Sequence, residues 1–569
     1  MTVYSTSCAL ISDSFPFNLL ELATPVLVAR SWEKGDTEKR SNQCHAFFMQ
    51  NCLPVANGFN SVHYTKVINK HTYPQYLDRC FALRTADGQV ALYSPASGTN
   101  YIYTKATGNW EKFPFVTSVD SSAISIAYLK GTTYVCYPGI GLFVYDFDTN
   151  TFNQQTVIAV DFNNIKGVCA AGGYLLLWTD TSIAWSSLTN PLDFTPTTGG
   201  AGSSSLLSAR GPIVTVLPAK DGVVVYTSVN AVAGNVTGNI NFPFAFKEIA
   251  GSAGLATSRH ATGDSTAETQ IAWTTSGIME VGGGNAQAAW AEISDSIAQN
   301  IYMSCGSDGY PYLSRVTQID VSINTIGQRY ITISLKNKDA DVEYAFAYVY
   351  DLVLRRWGRI DIPHIDIFEY RAPEFVKDFT YDDLGEQTYD DLGELTYDQL
   401  SVKLENKTAQ FGTTFGIVNA LGAVHIALGS QVKNLDTLED ATSGAAVPKL
   451  MLGRYRLIRP NAIQSISFDV NAAANTADIK VIAHDEQGDF IRSVGTVTSP
   501  RSTGKWFARC TGASLSVDIS GRFCLTGANF SFVDAGDRNL PKKISTTDGN
   551  TITIDGVPVS IDGQVVVET

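Results

Sequence analysis

An aromatic residue closes a polar turn at a recurring interval through the middle of the chain, and this recurrence restricts the fold more than any other feature. Tyr103 to Trp110, Tyr145 to Phe152 and Tyr350 to Trp357 each set one aromatic at the end of an apolar run and a second one seven residues later. The last two share a Tyr-Asp-turn-aromatic form, Val144-Tyr145-Asp146 through Phe152 and Val349-Tyr350-Asp351 through Trp357. The corner aromatics Trp110, Phe152, Phe194, Phe246 and Trp290 stand 42, 42, 52 and 44 residues apart, the length of a four-stranded blade. A long antiparallel protein of another kind also places aromatics at strand ends, so the interval carries the argument and the residue type does not.

Between the corners, hairpins are legible from turn residues flanked by β-branched and aromatic runs. TTYVCY turns through PGIG into LFVYD; YLLLW turns at Thr179-Asp180-Thr181 into SIAWSS; VVVYTS leads into NAVAG; QIAWTT turns at Ser276-Gly277 into IMEV. These runs are too short for helices, and their unbroken apolar character fits strands buried on both faces. Composition agrees: charged residues are 17% of the chain against a usual share of about 25%, while Gly reaches 47 and Phe plus Tyr 53. The expectation is an all-β chain with a β-propeller of six blades between residues 79 and 430. The 67-residue gap from Trp290 to Trp357 leaves room for an insertion or a seventh blade.

The flanks read differently. Residues 1–78 are a turn-rich arm or ring-closing segment, and 431–448 mix Asp, Gly, Ala and Ser as a linker. Alternation returns over 449–537 (SISFDV, DIKVIAH, ANFSFVDA), the length of a small β-sandwich. Residues 538–569 hold Asp555-Gly556 and Asp562-Gly563 turns between short strands, a β-hairpin extension.

The net charge of −14 is unevenly spread: residues 361–400 contain twelve acids and two bases, and the rest of the chain is close to neutral. No basic stripe offers the counterion release on which tight DNA binding depends. The nine cysteines, at positions 8, 44, 52, 80, 136, 169, 305, 510 and 524, follow no CxxC or disulfide-scaffold spacing and read as reduced thiols. The first basic residue is Arg30 and Asp13 interrupts the leading apolar run, so the N-terminus is not read as a secretory signal and the chain is expected to be made and kept in the cytosol. Thr408 to Val432 carries no charge over 25 residues, but its four glycines, Asn419 and His425 favour strand, turn, strand over a membrane span.

No nucleophile elbow, Walker loop or HExxH motif is present. His45, His63, His71, His260, His364, His425 and His484 form no pair at metal-ligand spacing, and Asp146, Asp148 and Asn150 imitate the start of a calcium loop without its glycine or terminal Glu. An Asx turn explains that triplet better. No catalytic, metal or cofactor residue is assigned. One local pattern stands out, an eight-residue tandem repeat: Thr380-Tyr381-Asp382-Asp383-Leu384, Thr388-Tyr389-Asp390-Asp391-Leu392 and Thr396-Tyr397-Asp398-Gln399-Leu400. With Glu386 and Glu394 its acids make a candidate acidic channel wall or docking surface. A divalent-ion site and a plain solvated loop are the alternatives.

Several segments together resemble a family: NCLPVANGFNSV (51–62), YLLLWTDTSIAWSSLTNPLDF (174–194), GPIVTVLP (211–218), VVVYT (223–227), FPFAFKEI (242–249), and RRWGRI (355–360) followed by the acidic Tyr-Asp region. They are similar to the β-propeller nozzle or tail-hub (tail tubular) proteins of short-tailed bacteriophages, over about residues 40–430. The resemblance implies a structural virion protein, not an enzyme, that is made in the host cytoplasm and forms a ring, usually a homohexamer, below the portal and adaptor. Adaptor or portal-proximal tail proteins, tail fibres or distal tail proteins would be its partners, and double-stranded DNA would pass through without sequence-specific contact. Six copies would carry −84, and an acidic wall repels phosphate where a basic one would hold it. The rival readings are a kelch-like binding adaptor and a carbohydrate-active or carbohydrate-binding propeller, whose pocket would lie among loops at one end of the blades.

Overall fold

The computed structural model describes residues 3–11, 27–29, 43–55, 58–62, 64–67, 79–86, 90–96, 99–104, 109–113, 123–263, 269–282, 284–288, 319–326, 329–337, 343–354, 356–370, 414–420, 423–428, 447–470, 476–484, 490–498, 505–506, 510–534 and four strand pieces beyond 541. Among them the fold is all-β, with no α-helix and with short 3-10 turns at Phe162–Asn164, Thr198–Gly200 and Ser258–His260. Contacts divide the chain into two units, one of 66–347 and 363–427, the other of 1–65, 348–362 and 428–569.

The larger unit is built from four-stranded antiparallel sheets, a propeller-like arrangement. The first is Phe81–Arg84, Val90–Ala96, Thr99–Thr104 and Asn109–Phe113. The second runs from Ser125–Leu129 to Thr151–Gln154, the third from Gly167–Ala171 to Gly202–Ser205, the fourth from Ile213–Ala219 to Phe244–Glu248, and the fifth from Ala261–Thr262 to Asn285–Ala288. Each is a meander whose strands pair with their sequence neighbours, as short apolar runs joined by tight turns require. A hairpin of Ile319–Ile326 and Tyr330–Asn337 follows. The sixth sheet holds Asp366–Tyr370, Thr414–Val418 and Val424–Leu428 and is completed by Tyr64–Val67, a strand that precedes the first sheet in sequence. The uncharged stretch near 408–432 thus contributes a strand, a turn and a strand.

Apolar clusters seal one sheet to the next. Tyr93 and Ile102 of the first sheet pack with Val135 and Phe143 of the second; Leu142 of the second meets Leu175 and Leu177 of the third. Trp185 of the third meets Val223 and Phe244 of the fourth, and Tyr226 of the fourth meets Ala272 and Met279 of the fifth. The first strand of the hairpin lies beside the first strands of the fifth and sixth sheets, and Trp110 and Leu92 of the first sheet pack with Phe368 and Val418 of the sixth. The succession therefore returns on itself. Burial on both faces explains strands such as Tyr174–Trp178, buried at every position.

The smaller unit joins both ends of the chain in one sheet. Its 22-residue strand Lys449–Val470 pairs antiparallel with Cys510–Arg522, Cys524–Asp534 and Gln43–Gln50, and Val3–Ile11 runs parallel to Gln43–Gln50 and antiparallel to Cys524–Asp534. The segment 1–65 and the 449–537 strands, read in sequence as separate pieces, share this sheet, because inter-strand register over such distances leaves no local trace in sequence. The hairpin Cys52–Val55 and Gly58–Ser61 pairs with Arg356–Ile360 on one side and Cys524–Asp534 on the other. Near the C-terminus, Thr553–Ile554 and Val557–Pro558 pair antiparallel.

Candidate functional site

Three of the twelve acids in 361–400 lie among the described residues, and each has a base or a backbone donor beside it. Glu369 meets Arg84 at 3.5 Å. Asp361, in the smaller unit, meets Arg359 at 2.5 Å and accepts from the backbone N of Asn51 at 3.0 Å. Asp366, in the larger unit, is 5% exposed, and its Oδ2 accepts from the backbone N of Cys80 at 2.9 Å. Its Oδ1 accepts from the backbone N of Ile367 at 3.0 Å and from Asn324 Nδ2 at 3.3 Å. Burial raises the carboxyl of Asp366 above the ordinary carboxylate range, while the guanidinium groups of Arg259 and Arg79 pull it down. Asp361 is raised for the same reason, with Arg359 opposing. Asp382, Asp383, Glu386, Asp390, Asp391, Glu394 and Asp398 lie outside the described residues.

The corner aromatics occupy related positions. Trp110, Phe152 and Phe246 stand on the fourth strands of the first, second and fourth sheets, while Phe194 lies in the loop between the third and fourth strands of the third sheet. Trp110 faces Tyr103 with ring centroids 5.8 Å apart, and Phe152 faces Tyr145 at 5.3 Å. Trp357 faces Tyr350 at 4.8 Å, but in the smaller unit, on the strand Arg356–Ile360. Trp290 lies outside the described residues. The Asp of the shared motif has one task in both full instances. Asp146 Oδ1 accepts from the backbone N of Asp148 and Thr149 at 2.9 and 3.3 Å, and Asp351 Oδ1 from Val353 and Leu354 at 2.9 Å each. These are Asx turns, and Asn150, at φ 53°, accepts from Tyr145 Oη at 3.0 Å.

Other reactive-looking groups are buried in the packing. Ser334 Oγ lies 2.8 Å from His364 Nε2, but both residues are shielded from solvent and His364 stacks on Tyr344. The hydroxyls of Tyr93 and Tyr137 join across the first and second sheets, where Asn100 Oδ1 accepts from Tyr93 at 2.9 Å. Burial pushes the thiols of Cys136 and Cys169 up to about 12. Among the described residues no group of three or more His, Cys, Asp or Glu is placed to hold a metal ion, and no helix is long and apolar enough to cross a membrane.

The sequence pointed to the acids but not to the bases that meet them. Arg79, Arg84 and Arg259 come from segments far from 361–370 in sequence, and no spacing links them. Arg259-His260 does stand out as charge in a charge-poor stretch, the one local signal available. No protein-family model matches the sequence, and no curated protein is significantly similar to it.

Proposed function

We propose that this chain is a structural virion protein of a short phage tail, assembling as a ring that extends the DNA-ejection channel below the portal and adaptor. The observation that supports this best is how the ionisable groups of the propeller-like unit are used. Asp366, Glu369, Asp146 and the Ser334–His364 pair are engaged in holding strands and turns, as suits a scaffold that transmits load rather than a funnel that receives substrate. On this reading the unit is a propeller of six four-stranded blades, with the Ile319–Asn337 hairpin in a seventh position, and the smaller unit is the part that joins its two chain ends. Adaptor or portal-proximal proteins and the fibres or distal proteins of the tail are its partners, and the acidic repeat at 380–400 faces passing DNA or a docked neighbour.

The test is the assembly state of the purified full-length chain by mass photometry and negative-stain imaging. A closed ring with a central bore, of about six copies, is the expected result. A monomer that cleaves or binds glycans, or an inert monomer that captures a single cellular protein, would replace the ring reading with one of its rivals.

A further inference from the structure

Exposed apolar side chains gather at the two ends of one sheet. Among the described residues the larger unit exposes seven large ones, and five of them, Leu207, Val229, Val236, Ile240 and Phe242, belong to the ends of the fourth sheet; Tyr128 and Ile158 are the other two. At one end Leu207, 98% exposed, lies in the link that enters the sheet, and Val229 in the turn after its second strand. Asn230 ties link and turn together: its Nδ2 donates to Ser208 O at 3.0 Å and its Oδ1 accepts from Arg210 N at 3.1 Å. At the other end, the third strand Ala231–Val236 runs into the loop 237–243, which carries Ile240 and Phe242, the latter 71% exposed. Backbone bonds hold this loop, Thr237 N to Pro243 O at 2.9 Å and Phe242 N to Asn239 O at 3.0 Å, so it presents its apolar side chains at a reduced ordering cost.

The same sector is depleted of charge. From Gly167 to Phe246, through the third and fourth sheets, 80 residues hold five charged side chains, Asp180, Asp193, Arg210, Lys220 and Asp221, against 17% over the whole chain. Those near the apolar ends are offset: Asp180 meets Lys166 at 3.8 Å, Arg210 meets Glu248 at 2.8 Å, and Lys220 adjoins Asp221, whose carbonyl accepts from Val236 N. A nucleic acid or a strongly charged protein finds no complementary charge here. Copies of a chain with a net charge of −14 repel one another, and a depleted, locally balanced sector is where they approach at least cost. A single docked protein needs one patch, whereas a closed ring needs two unlike patches on every copy. We propose that the two ends of the fourth sheet are the two halves of the contact between copies of this chain: the Leu207–Val229 end of one copy seats head to tail against the Ile240–Phe242 end of the next. The proposal rests on the ring reading and adds to it the surface that makes the ring.

The experiment is sedimentation velocity on the full-length chain at micromolar concentration, natural and with Leu207→Asp or Phe242→Asp. Each variant spoils one half of the contact and should associate about a hundredfold more weakly, running as a monomer where the natural chain forms rings. Mixed in equal amounts, the two variants keep one sound contact, between the Leu207–Val229 end of the Phe242→Asp chain and the Ile240–Phe242 end of the Leu207→Asp chain. The mixture should therefore form pairs and nothing larger. Rings that persist in either variant, or a mixture that stays monomeric, overturn the proposal and leave the ring reading standing; a monomeric natural chain removes both. Hydroxyl-radical footprinting of the natural rings decides the matter if a variant does not fold. Leu207 and Phe242 should be shielded relative to Ile158, an exposed side chain elsewhere on the unit, and oxidation at the level of their exposure in the single chain would refute the contact.

Discussion

Asn51 and Asp361, 310 positions apart, hold each other by main chain and side chain at once. Asn51 N donates to Asp361 Oδ2 at 3.0 Å, Asp361 N donates to Asn51 Oδ1 at 2.6 Å, and Asn51 Nδ2 reaches Asp361 O at 3.4 Å. Asn51 opens the segment 51–62 and Asp361 follows the block 355–360, so this buried clasp joins two of the segments that carry the family resemblance. Next to it Gly358 lies against Cys52 and Pro54 so closely that a Cβ there would stand 2.6 Å from the Cys52 carbonyl oxygen.

Replacing Asn51 by Ala should cost about 3 kcal/mol, because it strands buried donors and acceptors on Asp361 and leaves a Cβ-bearing residue without local bonds at φ 48°. Asn51→Gly relieves the backbone part and should recover about 1 kcal/mol of that loss. Denaturant unfolding followed by tryptophan fluorescence measures both. Equal stability of the Ala variant and the natural chain would mean that the clasp does not hold the smaller unit.

Gly167→Ala should destabilise the larger unit by about 1–3 kcal/mol through overpacking. Its Cβ would lie 2.2 Å from Trp178 Cζ2 and 2.7 Å from Ser125 Oγ, which itself accepts from Val168 N at 2.8 Å. The φ of this glycine is ordinary for an L-residue, so the cost is one of space. Widening the site with Trp178→Phe in the same chain should return part of the lost stability in a thermal melt.

Alkaline stability should decline between about pH 9 and pH 12 in the presence of a reductant. Burial holds the Cys136 and Cys169 thiols and the Tyr145 phenol at about 12, against ordinary values of 9.0 for a thiol and 10.0 for a phenol. The unfolded chain releases these protons first, so their contribution is complete below pH 9 and lost as pH rises towards 12. Each fully shifted group adds a slope of at most about 1.4 kcal/mol per pH unit. Denaturation midpoints collected from pH 8 to pH 11 test the trend, and a flat profile would contradict it. Below pH 9 the same buried thiols should react with an aromatic disulfide reagent only after unfolding.

Asp382, Asp383, Asp390 and Asp391 changed together to Asn should leave ring assembly intact and slow DNA ejection, if the repeat faces the channel as proposed. Ejection from particles carrying the variant, followed by dye uptake on released DNA, reads this directly. Unchanged kinetics would assign the repeat to a docking contact or to solvent.

How much of this could be read in advance depends on the range of the interactions. The 42-residue interval and the Tyr-Asp turns are local, set by strand length and by an Asx carboxylate two or three residues from its donors, so Trp110 and Phe152 could be located by counting, while the same count reaches Phe194 in a loop and misses Phe246 by ten residues. Trp357 shows the limit. It keeps the same local motif as Phe152, on a strand that likewise pairs with the one before it, Ala347–Asp351, but the other edge of that strand is taken by Cys52–Val55, a choice made by partners three hundred residues away. The acids at 361–369 show it again: Arg359 stands two residues from Asp361, within reach of a count along a strand, but Arg259, Arg79 and Arg84, which meet Asp366 and Glu369, cannot be assigned to them by spacing.

The strand Tyr64–Val67, which completes the sixth sheet, sets a timetable for synthesis. It leaves the ribosome before the first five four-stranded sheets, while its neighbour Val424–Leu428 emerges on the order of tens of seconds later at ordinary elongation speeds. During that interval the first five sheets can stack in order of emergence, but an unpaired edge waits at the front of the nascent chain. A chaperone that shields this edge, or a neighbouring nascent chain that captures it, would decide between a correctly closed subunit and an exchanged one.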